Sequence, residues 1–186
     1  MFASKSKAIL LLLSCALLAY SFPSISQEVT QMVVEQQVSE DFNKQLKCLA
    51  DNVYFESATE SYEGKLAVAQ VTINRANDPK FGGTVCEVVY QRSYVNKLVV
   101  CQFSWTCMKN MLVRDKYAYD ESEMVARKAL TEPDVHDTIA RTNALYYHNT
   151  QVNPGWNLQR VTQIGHHIFY KAKAAKPVFS LILVVY

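Results

Sequence analysis

The sequence predicts a mainly helical α+β domain with a small β-element, and three observations carry that prediction. Apolar residues recur at helical spacing from Leu46 to Tyr54. Segment 66–73, LAVAQVTI, is apolar nearly all round, which is typical of a central buried helix. From residue 143 onward the composition shifts to aromatic and β-branched residues, which favour strands. The 186 residues are enough for one domain with a real core.

The chain begins with the layout of a secretory signal peptide, residues 1–26. Lys5 and Lys7 precede an apolar run over 8–20, and small residues follow at Ser24 and Ser26. We expect cleavage after Ser26. The alternative is a retained anchor, but the run has 13 residues, whereas a membrane-spanning helix needs about 20.

The first half of the mature chain shows clear starts and stops. Segment 27–42 is polar with scattered valines and is predicted to be a linker or a loosely docked helix. Ser61 is suited to cap the start of the central helix. Segment 77–83, NDPKFGG, is predicted to be a loop by its proline and glycines. Thr84 lies three residues before Glu87, a capping box that opens a short helix.

The second half is less regular. Segment 91–110 has no long period, and Asp120 to Thr131 is predicted to be a helix that ends near a proline. Segments 143–149 and 161–170 are predicted to be two strands separated by a Pro-Gly turn. The last residues, 176–186, form an apolar tail for which the sequence indicates no role, so the predicted domain spans 43–175.

The charge balance excludes one class of partner. Removal of the leader leaves 17 basic and 17 acidic side chains, so the mature chain is formally neutral and a nucleic-acid partner is not predicted. We expect a monomer that contacts a membrane only if the N-terminal segment is retained. The sequence predicts no cofactor and no metal.

Four cysteines remain after the leader: Cys48, Cys86, Cys101 and Cys107. An even number in an exported protein indicates two disulfides, and four cysteines allow three pairings. Cys101 and Cys107 bracket a five-residue loop and form the easiest pair, which leaves Cys48 with Cys86. A metal site is the rival interpretation, but the C-x-x-C spacing that favours one is missing.

Glu56 is the most informative carboxylate because it follows Val53, Tyr54 and Phe55 where the first helical pattern stops. The negative end of a helix dipole and nearby aromatic rings both disfavour ionisation, so they raise the pKa of a glutamate at this position. A raised pKa is what a general acid needs near neutral pH. The alternative is an ordinary exposed glutamate at a helix end.

Several blocks of the chain resemble, in order, the SleB-type cell wall hydrolases, the spore-cortex-lytic enzyme family. They are CLADNVYFESATESYEGKLAVAQVTINRANDP, TVCEVVYQ, CQFSWTC, ALYYHN and IGHHIFY, which together span roughly residues 46 to 171. Glu56 and Glu60 match the two glutamates of the family's Glu-Ala-Arg-Gly-Glu loop. Residues 57–59 are Ser-Ala-Thr in place of Ala-Arg-Gly, so the role of that arginine does not carry over.

The resemblance implies a compact, mainly helical domain akin to lysozymes and lytic transglycosylases. It also implies cleavage of the β-1,4 bond between N-acetylmuramic acid and N-acetylglucosamine in peptidoglycan, with Glu56 as the catalytic acid. The protein is then expected in the periplasm or at the cell wall. Conventional glycosidases need two carboxylates, and only Glu60 lies near Glu56 in the sequence. A lytic transglycosylase needs one, so we favour that activity over hydrolysis.

The rest of the cleft is expected to hold sugars through hydrogen bonds and aromatic faces. Trp105 and Phe103 could equally fill the core. Strand alternation allows at most one of Tyr146 and Tyr147 to contact substrate, and His166 and His167 are interpreted as strand residues. The candidate substrate-binding residues are Glu60, Gln70, Asn74, Gln102, Phe103, Ser104, Trp105, Tyr147 and His148.

Two other function classes remain open from the sequence. One is an exported cysteine peptidase that uses a cysteine with His148 or His166, although four cysteines fit a disulfide framework better than a free thiol. The other is a non-catalytic glycan-binding module in which Glu56 is structural. Thiol-blocking reagents would identify the peptidase, and a glycan-release assay would identify the binding module.

Overall fold

The computed structural model describes residues 25–132 and 138–173, with side chains from residue 27. Residues 1–24 of the predicted leader and the apolar tail 176–186 lie outside the described residues. The chain divides into two units, residues 1–42 and 43–186. The helices are α1 Ile25–Ser57, α2 Tyr62–Ala76, α3 Val85–Val89, α4 Lys116–Thr131 and α5 Thr138–Thr142. The strands are β1 Arg92–Val95, β2 Leu98–Cys101, β3 Tyr146–Asn149, β4 Gln159–Ile164 and β5 His167–Lys171.

The described part of the first unit is helical. Segment 27–42, predicted to be a linker or a loosely docked helix, belongs to α1, and its side chains are exposed through residue 41. It contains neither glycine nor proline and is rich in glutamate and glutamine, so nothing in it interrupts a helix. None of the helices in the described part of the chain has the length and apolar composition needed to cross a membrane.

The second unit is built around α2, as predicted for the central helix. The Ser61 hydroxyl caps its start by accepting a hydrogen bond from the Gly64 amide at 3.3 Å. Ala67 and Val71 of α2 pack in a fully buried cluster with Ile139, Ala144 and Phe169. Because these partners come from α5, the following loop and β5, the cluster fixes the sheet against the central helix.

The β-element is a three-stranded antiparallel sheet in the order β3-β5-β4. The sequence analysis predicted 161–170 to be one strand, and that is wrong. The segment turns at Gly165, which has φ +53°, and so contributes both β4 and β5. Glycine adopts positive φ without the steric cost that other residues meet.

A second hairpin, β1 and β2, was not predicted. Its two-residue turn consists of Asn96 at φ 50° and Lys97 at φ 67°. Positive φ at both central residues matches the right-handed twist of hairpin strands, but Asn-Lys lacks the glycine that usually signals such a turn. Two helices also differ from expectation: α4 begins at Lys116, where Asp115 caps the Ala118 amide, and α5 was not predicted.

Both disulfides join elements of the second unit. Cys48 of α1 is bonded to Cys86 of α3. Cys101 at the end of β2 is bonded to Cys107 at the end of a 3-10 turn, Ser104–Cys107. These are the pairings that the sequence analysis favoured among the three possible ones.

Candidate active site

Glu56 lines an open cleft of about 290 Å³ at the end of α1. The cleft lies between the end of α1, the end of α2, the loop that follows β2, and strand β3. Its lining residues are Glu56, Arg75, Cys101, Gln102, Phe103, Ser104 and Tyr147. Among the described residues of this lining, Glu56 supplies the one carboxylate.

The end of α1 is held in place by a buried polar and aromatic network. Asn52 donates to the Thr72 hydroxyl of α2 at 3.1 Å and accepts from the Trp105 indole N–H at 3.0 Å. The Phe55 ring stacks on Trp105 with 4.6 Å between ring centroids. Because Glu56 directly follows Phe55, these contacts fix the direction in which its carboxyl group leaves the helix.

The Glu56 carboxyl group is half-buried, and burial raises its pKa above the ordinary 4.5. Two neighbours act in the opposite direction: the Tyr147 hydroxyl donates to Glu56 Oε2 at 3.1 Å, and the Arg75 charge favours the carboxylate. Burial is the largest of the three effects. The site therefore raises the pKa of this acid, while the Tyr147 hydroxyl and the Arg75 charge stabilise its anion.

Arg75 lies at the end of α2 and is almost fully buried, with 5% of its surface exposed. Its Nε–H donates to the Leu145 carbonyl at 2.7 Å. Its guanidinium carbon lies 5.3 Å from the Phe103 ring centroid and 6.0 Å from that of Tyr147. Burial lowers the pKa of Arg75 below its ordinary value, and nearby Tyr147 and Glu56 act to raise it.

Arg75 was missed as a site residue from the sequence. The sequence did contain a signal for it: Arg75 is a single charged residue in the last turn of α2, just after the apolar segment 66–73. Buried arginines are rare unless they are paired or functional.

Tyr147 meets the cleft because β3 alternates its side chains. Tyr147 packs on Phe169 toward α2, with 5.7 Å between ring centroids, whereas Tyr146 lies near Phe81 and Trp156 on the other side of the strand. Burial and the nearby Glu56 raise the Tyr147 pKa, so this hydroxyl keeps its proton and acts as a donor to Glu56. This arrangement matches the prediction that one tyrosine of the pair faces the cleft.

Glu60 has a different environment, although it lies four residues after Glu56. Its side chain is 6% exposed and its carboxylate accepts hydrogen bonds from the His166 backbone amide at 3.2 Å and, through Nδ1 at 3.0 Å, from the His166 ring. It is not among the cleft-lining residues. The prediction that Glu60 binds substrate is therefore not supported by its contacts, because both carboxylate oxygens are engaged by the β4–β5 turn.

Two glycines create the space that the Glu60 side chain occupies. A Cβ atom at Gly165 would lie 1.9 Å from Glu60 Oε2, and one at Gly64 would lie 2.9 Å from Glu60 Cβ. Both distances are too short for real atoms. The Glu60 carboxylate thus joins the loop after α1 to the turn that begins β5.

The sequence from residue 59 to residue 170 matches the protein-family model described as Cell Wall Hydrolase. This range covers more than half of the chain. The chain belongs to the Cell Wall Hydrolase family. The matched range begins three residues after Glu56, so the assignment of Glu56 depends on the geometry of the cleft.

Curated relatives of this Cell Wall Hydrolase domain are spore cortex-lytic enzymes. That of Bacillus subtilis is 31% identical over 130 residues, which are 68% of this chain and 37% of the relative. That of Oceanobacillus iheyensis is also 31% identical over 130 residues, 68% of this chain and 41% of the relative. The chain therefore matches about two fifths of the length of these relatives.

Solved structures support the same fold. The catalytic domain of the Bacillus cereus SleB protein superposes with a TM-score of 0.52 at 26% identity, covering 69% of this chain and 91% of that one. The catalytic domain of the germination-specific lytic transglycosylase SleB from Bacillus anthracis gives 0.51 at 25% identity, covering 68% and 93%. The predicted fold class, a mainly helical lysozyme-like domain with small sheets, is confirmed.

Gln102, Phe103, Ser104 and Tyr147 line the cleft with Glu56, where the sequence analysis expected them. The Cys101–Cys107 disulfide brackets the first three. Ser104 is exposed and Gln102 is half-buried, so both have polar groups that can reach a ligand. Phe103 is 3% exposed and packs against the Arg75 guanidinium, so little of its ring is available to a sugar.

Gln70 and Asn74 were predicted to bind substrate, but the structure gives them another role. The Gln70 side-chain amide donates to Asn74 Oδ1 at 3.0 Å, and the Asn74 amide donates to the Ile139 and Ala144 carbonyls, both at 3.0 Å. Each residue is 6% exposed. Buried polar groups of this kind satisfy backbone carbonyls that would otherwise lack a partner, and here they tie α5 and the start of β3 to α2.

Trp105 and His148 are also placed away from the Glu56 cleft. Trp105 is 8% exposed and serves as a core residue, which was the alternative for this tryptophan. His148 lies on the strand face opposite Tyr147, where its Nε2 is 2.9 Å from the Tyr170 hydroxyl. Neither residue is among those that line the cleft.

His167 belongs to strand β5, as the sequence analysis expected, whereas His166 was expected in a strand and lies in the β4–β5 turn. His167 is 6% exposed and burial lowers its pKa, while its Nδ1 lies 3.9 Å from Glu60 Oε1. Within residues 25–132 and 138–173, no group of three or more potential ligand side chains has a geometry that could hold a metal ion.

Proposed function

We propose that this domain cleaves the β-1,4 bond between N-acetylmuramic acid and N-acetylglucosamine in peptidoglycan, as a lytic transglycosylase with Glu56 as its single acid and base. One observation carries this proposal. Glu56 is the one carboxylate lining the cleft of the described chain, and burial raises its pKa. Membership of the Cell Wall Hydrolase family supports the substrate class.

In the first step, protonated Glu56 gives its proton to the oxygen of the scissile bond. The bond between that oxygen and C1 of the muramic acid breaks, the N-acetylglucosamine side leaves as an alcohol, and C1 becomes electron-deficient. Glu56 is left as a carboxylate. The Tyr147 hydroxyl and the Arg75 charge both favour this ionised form, so they stabilise the product of the transfer.

In the second step, the Glu56 carboxylate takes the proton from the C6 hydroxyl of the same muramic acid. O6 then bonds to C1 and closes a 1,6-anhydro ring, which restores the protonated acid. The two steps together consume no water. Burial raises the pKa of Glu56, and its neighbours lower it. Such opposing effects suit a group that must both give and take a proton, because a catalytic pKa works best near the working pH.

The contacts of Glu60 favour this mechanism over a two-carboxylate hydrolase. A retaining hydrolase needs a second carboxylate about 5–5.5 Å away as nucleophile, and an inverting one needs it roughly 6.5–9.5 Å away to activate water. The Glu60 carboxylate is bonded to His166 and does not line the cleft. We propose that Glu60 is a positioning residue, which holds the end of α1 against β5 and so against Tyr147.

Among the cleft residues, we propose that Gln102 and Ser104 bind the sugar hydroxyl and acetamido groups. Both lie in the loop closed by the Cys101–Cys107 disulfide. Closing so short a loop gains little from chain entropy, so the disulfide should matter more for activity than for stability. A Cys101→Ser, Cys107→Ser variant that kept full activity would contradict this role.

We propose that the protein is exported and acts at the cell wall or in the periplasm, as a monomer with its catalytic domain over residues 43–175. The leader-like residues 1–26 support export. So do the two disulfides, because disulfides persist mainly in oxidising compartments. N-terminal sequencing of exported protein tests this proposal, and a start at Met1 would contradict cleavage.

Mass spectrometry of fragments released from purified peptidoglycan tests the proposed reaction. A lytic transglycosylase releases fragments that end in 1,6-anhydro muramic acid, which are lighter by one water than hydrolytic products and resist borohydride reduction. Reducing muramic acid ends would identify a hydrolase instead. Release of no glycan fragment, with binding to peptidoglycan retained, would identify a non-catalytic binding module.

A further inference from the structure

The outer face of the three-stranded sheet carries a group of aromatic side chains that the proposed mechanism does not use. Tyr146 and His148 of β3 point away from the core, and Tyr146 is paired across the strands with Tyr170 of β5. The Trp156 ring lies edge-on to all three, at 6.2 Å from Tyr146, 5.4 Å from His148 and 5.9 Å from Tyr170.

Trp156 is the exposed member of this group. It has 43% of its surface exposed although three rings surround its edges. It follows Gly155, which has φ +64° and whose amide donates to Asn153 Oδ1 at 3.2 Å. The loop is thus built to hold an indole ring against the sheet while it leaves the ring open to solvent.

The aromatic group lies close to the cleft of Glu56. The Tyr146 ring lies 6.4 Å from Phe81, and the Arg75 guanidinium lies 5.4 Å from the Phe81 ring. Arg75 in turn lines the cleft. Contacts between neighbouring side chains therefore connect Trp156, through Tyr146, Phe81 and Arg75, to the cleft of Glu56.

This surface has the chemistry that recognises a polysaccharide. Aromatic rings present large, rigid apolar faces at low entropic cost, and tyrosine and tryptophan add polar groups at their edges. The apolar C–H face of a pyranose ring packs on such a surface, while the Tyr170 hydroxyl, 2.9 Å from His148 Nε2, can form a further hydrogen bond with a sugar hydroxyl. Exposed aromatic patches of this kind mark interaction sites.

We infer that Phe81, Tyr146, His148, Trp156 and Tyr170 form an outer glycan subsite, which binds the part of a peptidoglycan glycan strand that extends beyond the cleft. The inference rests on the proposed function for the identity of the strand. The subsite holds a part of the polymer that lies outside the cleft, so it contributes most on long strands and little on short fragments.

The kinetic test compares Trp156→Ala with Tyr117→Ala, an aromatic residue of α4 that is 75% exposed and lies outside the subsite. Truncation of a central aromatic contact typically costs a factor of about ten in affinity. We expect Trp156→Ala to raise KM about tenfold on long glycan strands, with a smaller rise on the shortest fragment that is cleaved. Tyr117→Ala should match the native enzyme on both. An equal loss on both substrates, or no loss on either, would overturn the inference.

A fluorescence test is independent of turnover. The chain has two tryptophans, and Trp105 is buried in the core, so a spectral change on addition of glycan reports on Trp156. In Glu56→Gln, long glycan strands should shift the emission to shorter wavelength, and the shift should vanish in Glu56→Gln, Trp156→Phe. An unchanged spectrum would overturn the subsite. A shift accompanied by full cleavage in Glu56→Gln would support the subsite and contradict the proposed role of Glu56.

Discussion

Glu56 and Glu60 lie four residues apart, and their surroundings differ in the number of partners that each carboxylate has. Glu56 is half-buried at the edge of a cleft and accepts a hydrogen bond from the Tyr147 hydroxyl. Glu60 is 6% exposed and accepts hydrogen bonds from both the backbone amide and the ring of His166. Burial is the feature they share, so burial alone does not identify the proton donor.

The difference shows how one short segment can place two carboxylates in different environments. A carboxylate with several donors is committed to those donors and has no oxygen left for a ligand. A carboxyl group that is desolvated and has fewer donors has a raised pKa and has an oxygen available for a ligand. Glu56 fits the second description, and Glu60 fits the first.

The largest expected effect is the loss of turnover when Glu56, but not Glu60, is replaced by glutamine. Glu56→Gln keeps the size of the side chain but can neither give nor take a proton, so turnover should fall by about 10²–10⁴-fold, the usual contribution of general acid–base catalysis. Glu60→Gln is the matched control and should lower kcat much less, with KM unchanged. Initial rates of soluble glycan release measure both.

Binding of peptidoglycan and circular dichroism should be unchanged in Glu56→Gln, which shows that the loss is chemical. Near-normal cleavage by Glu56→Gln would mean that Glu56 is only a helix-end glutamate. Equal loss in both variants would mean that Glu60 takes part in the chemistry.

The next effect concerns the space that Gly165 leaves for Glu60. Gly165→Ala places a Cβ where Glu60 Oε2 lies and adds backbone strain at φ +53°. Gly155→Ala is the control, since Gly155 has φ +64° with no atom within 4 Å of an added Cβ. Both variants should lose about 1–2 kcal/mol from positive φ. Gly165→Ala should lose about 1–3 kcal/mol more, because the Glu60 carboxylate is pushed from its donors.

Urea denaturation measures that difference. Glu60→Ala in the Gly165→Ala background removes the overlap, so the second substitution should cost less there than it does alone. Equal destabilisation by Gly165→Ala and Gly155→Ala would contradict the tight packing of Glu60.

A smaller effect is expected from the Tyr147 hydroxyl. Tyr147→Phe removes the donor to Glu56 Oε2, and a hydrogen bond to a charged group is worth about 1.5–3 kcal/mol, so kcat should fall about tenfold. Because this bond lowers the Glu56 pKa, its loss raises that pKa. The basic limb of the kcat/KM profile, which reports deprotonation of the acid, should therefore move to higher pH. A limb that moved to lower pH, or not at all, would contradict the contact.

The sequence predicted some parts of this site and not others. The difference lies in how many residues separate a side chain from the groups that it contacts. Glu56 could be predicted because its environment is local: the helix ends there, and aromatic residues precede it directly. Gln70 and Asn74 were placed on one helix face as expected, but their hydrogen bonds within the fold were not predicted. The carbonyls that Asn74 satisfies come from Ile139 and Ala144, 65 and 70 residues further on.

Arg75 and Glu60 show the same limit. The Leu145 carbonyl that fixes Arg75 is 70 residues away, and His166, which binds Glu60, is 106 residues away. Neither contact can be predicted from the residues that lie next to Arg75 or Glu60 in the sequence. The central helix, its cap and the short helix after it were predicted, since caps and periodicity act over three or four residues.

The smallest expected effect is on stability. Burial raises the Glu56 pKa above 4.5 in the folded state. The folded protein then binds this proton more tightly than the unfolded chain, so ionisation of Glu56 lowers stability as pH rises from 4.5 through the folded pKa. Glu56→Gln should therefore raise the denaturation midpoint near neutral pH and leave it unchanged below pH 4.5. Calorimetry across this range measures the gain, and a lower midpoint near neutral pH would contradict the raised pKa.

The most direct test of a one-carboxylate cleft is digestion of purified peptidoglycan in heavy-oxygen water by the native enzyme and by Glu60→Gln. Mass spectrometry reads the new muramic acid ends. If Glu56 alone moves the proton and O6 closes the ring, both enzymes produce 1,6-anhydro ends without the heavy label. Heavy-labelled reducing ends from the native enzyme would show that water takes part. Loss of these ends and of all activity in Glu60→Gln would show that a second carboxylate takes part.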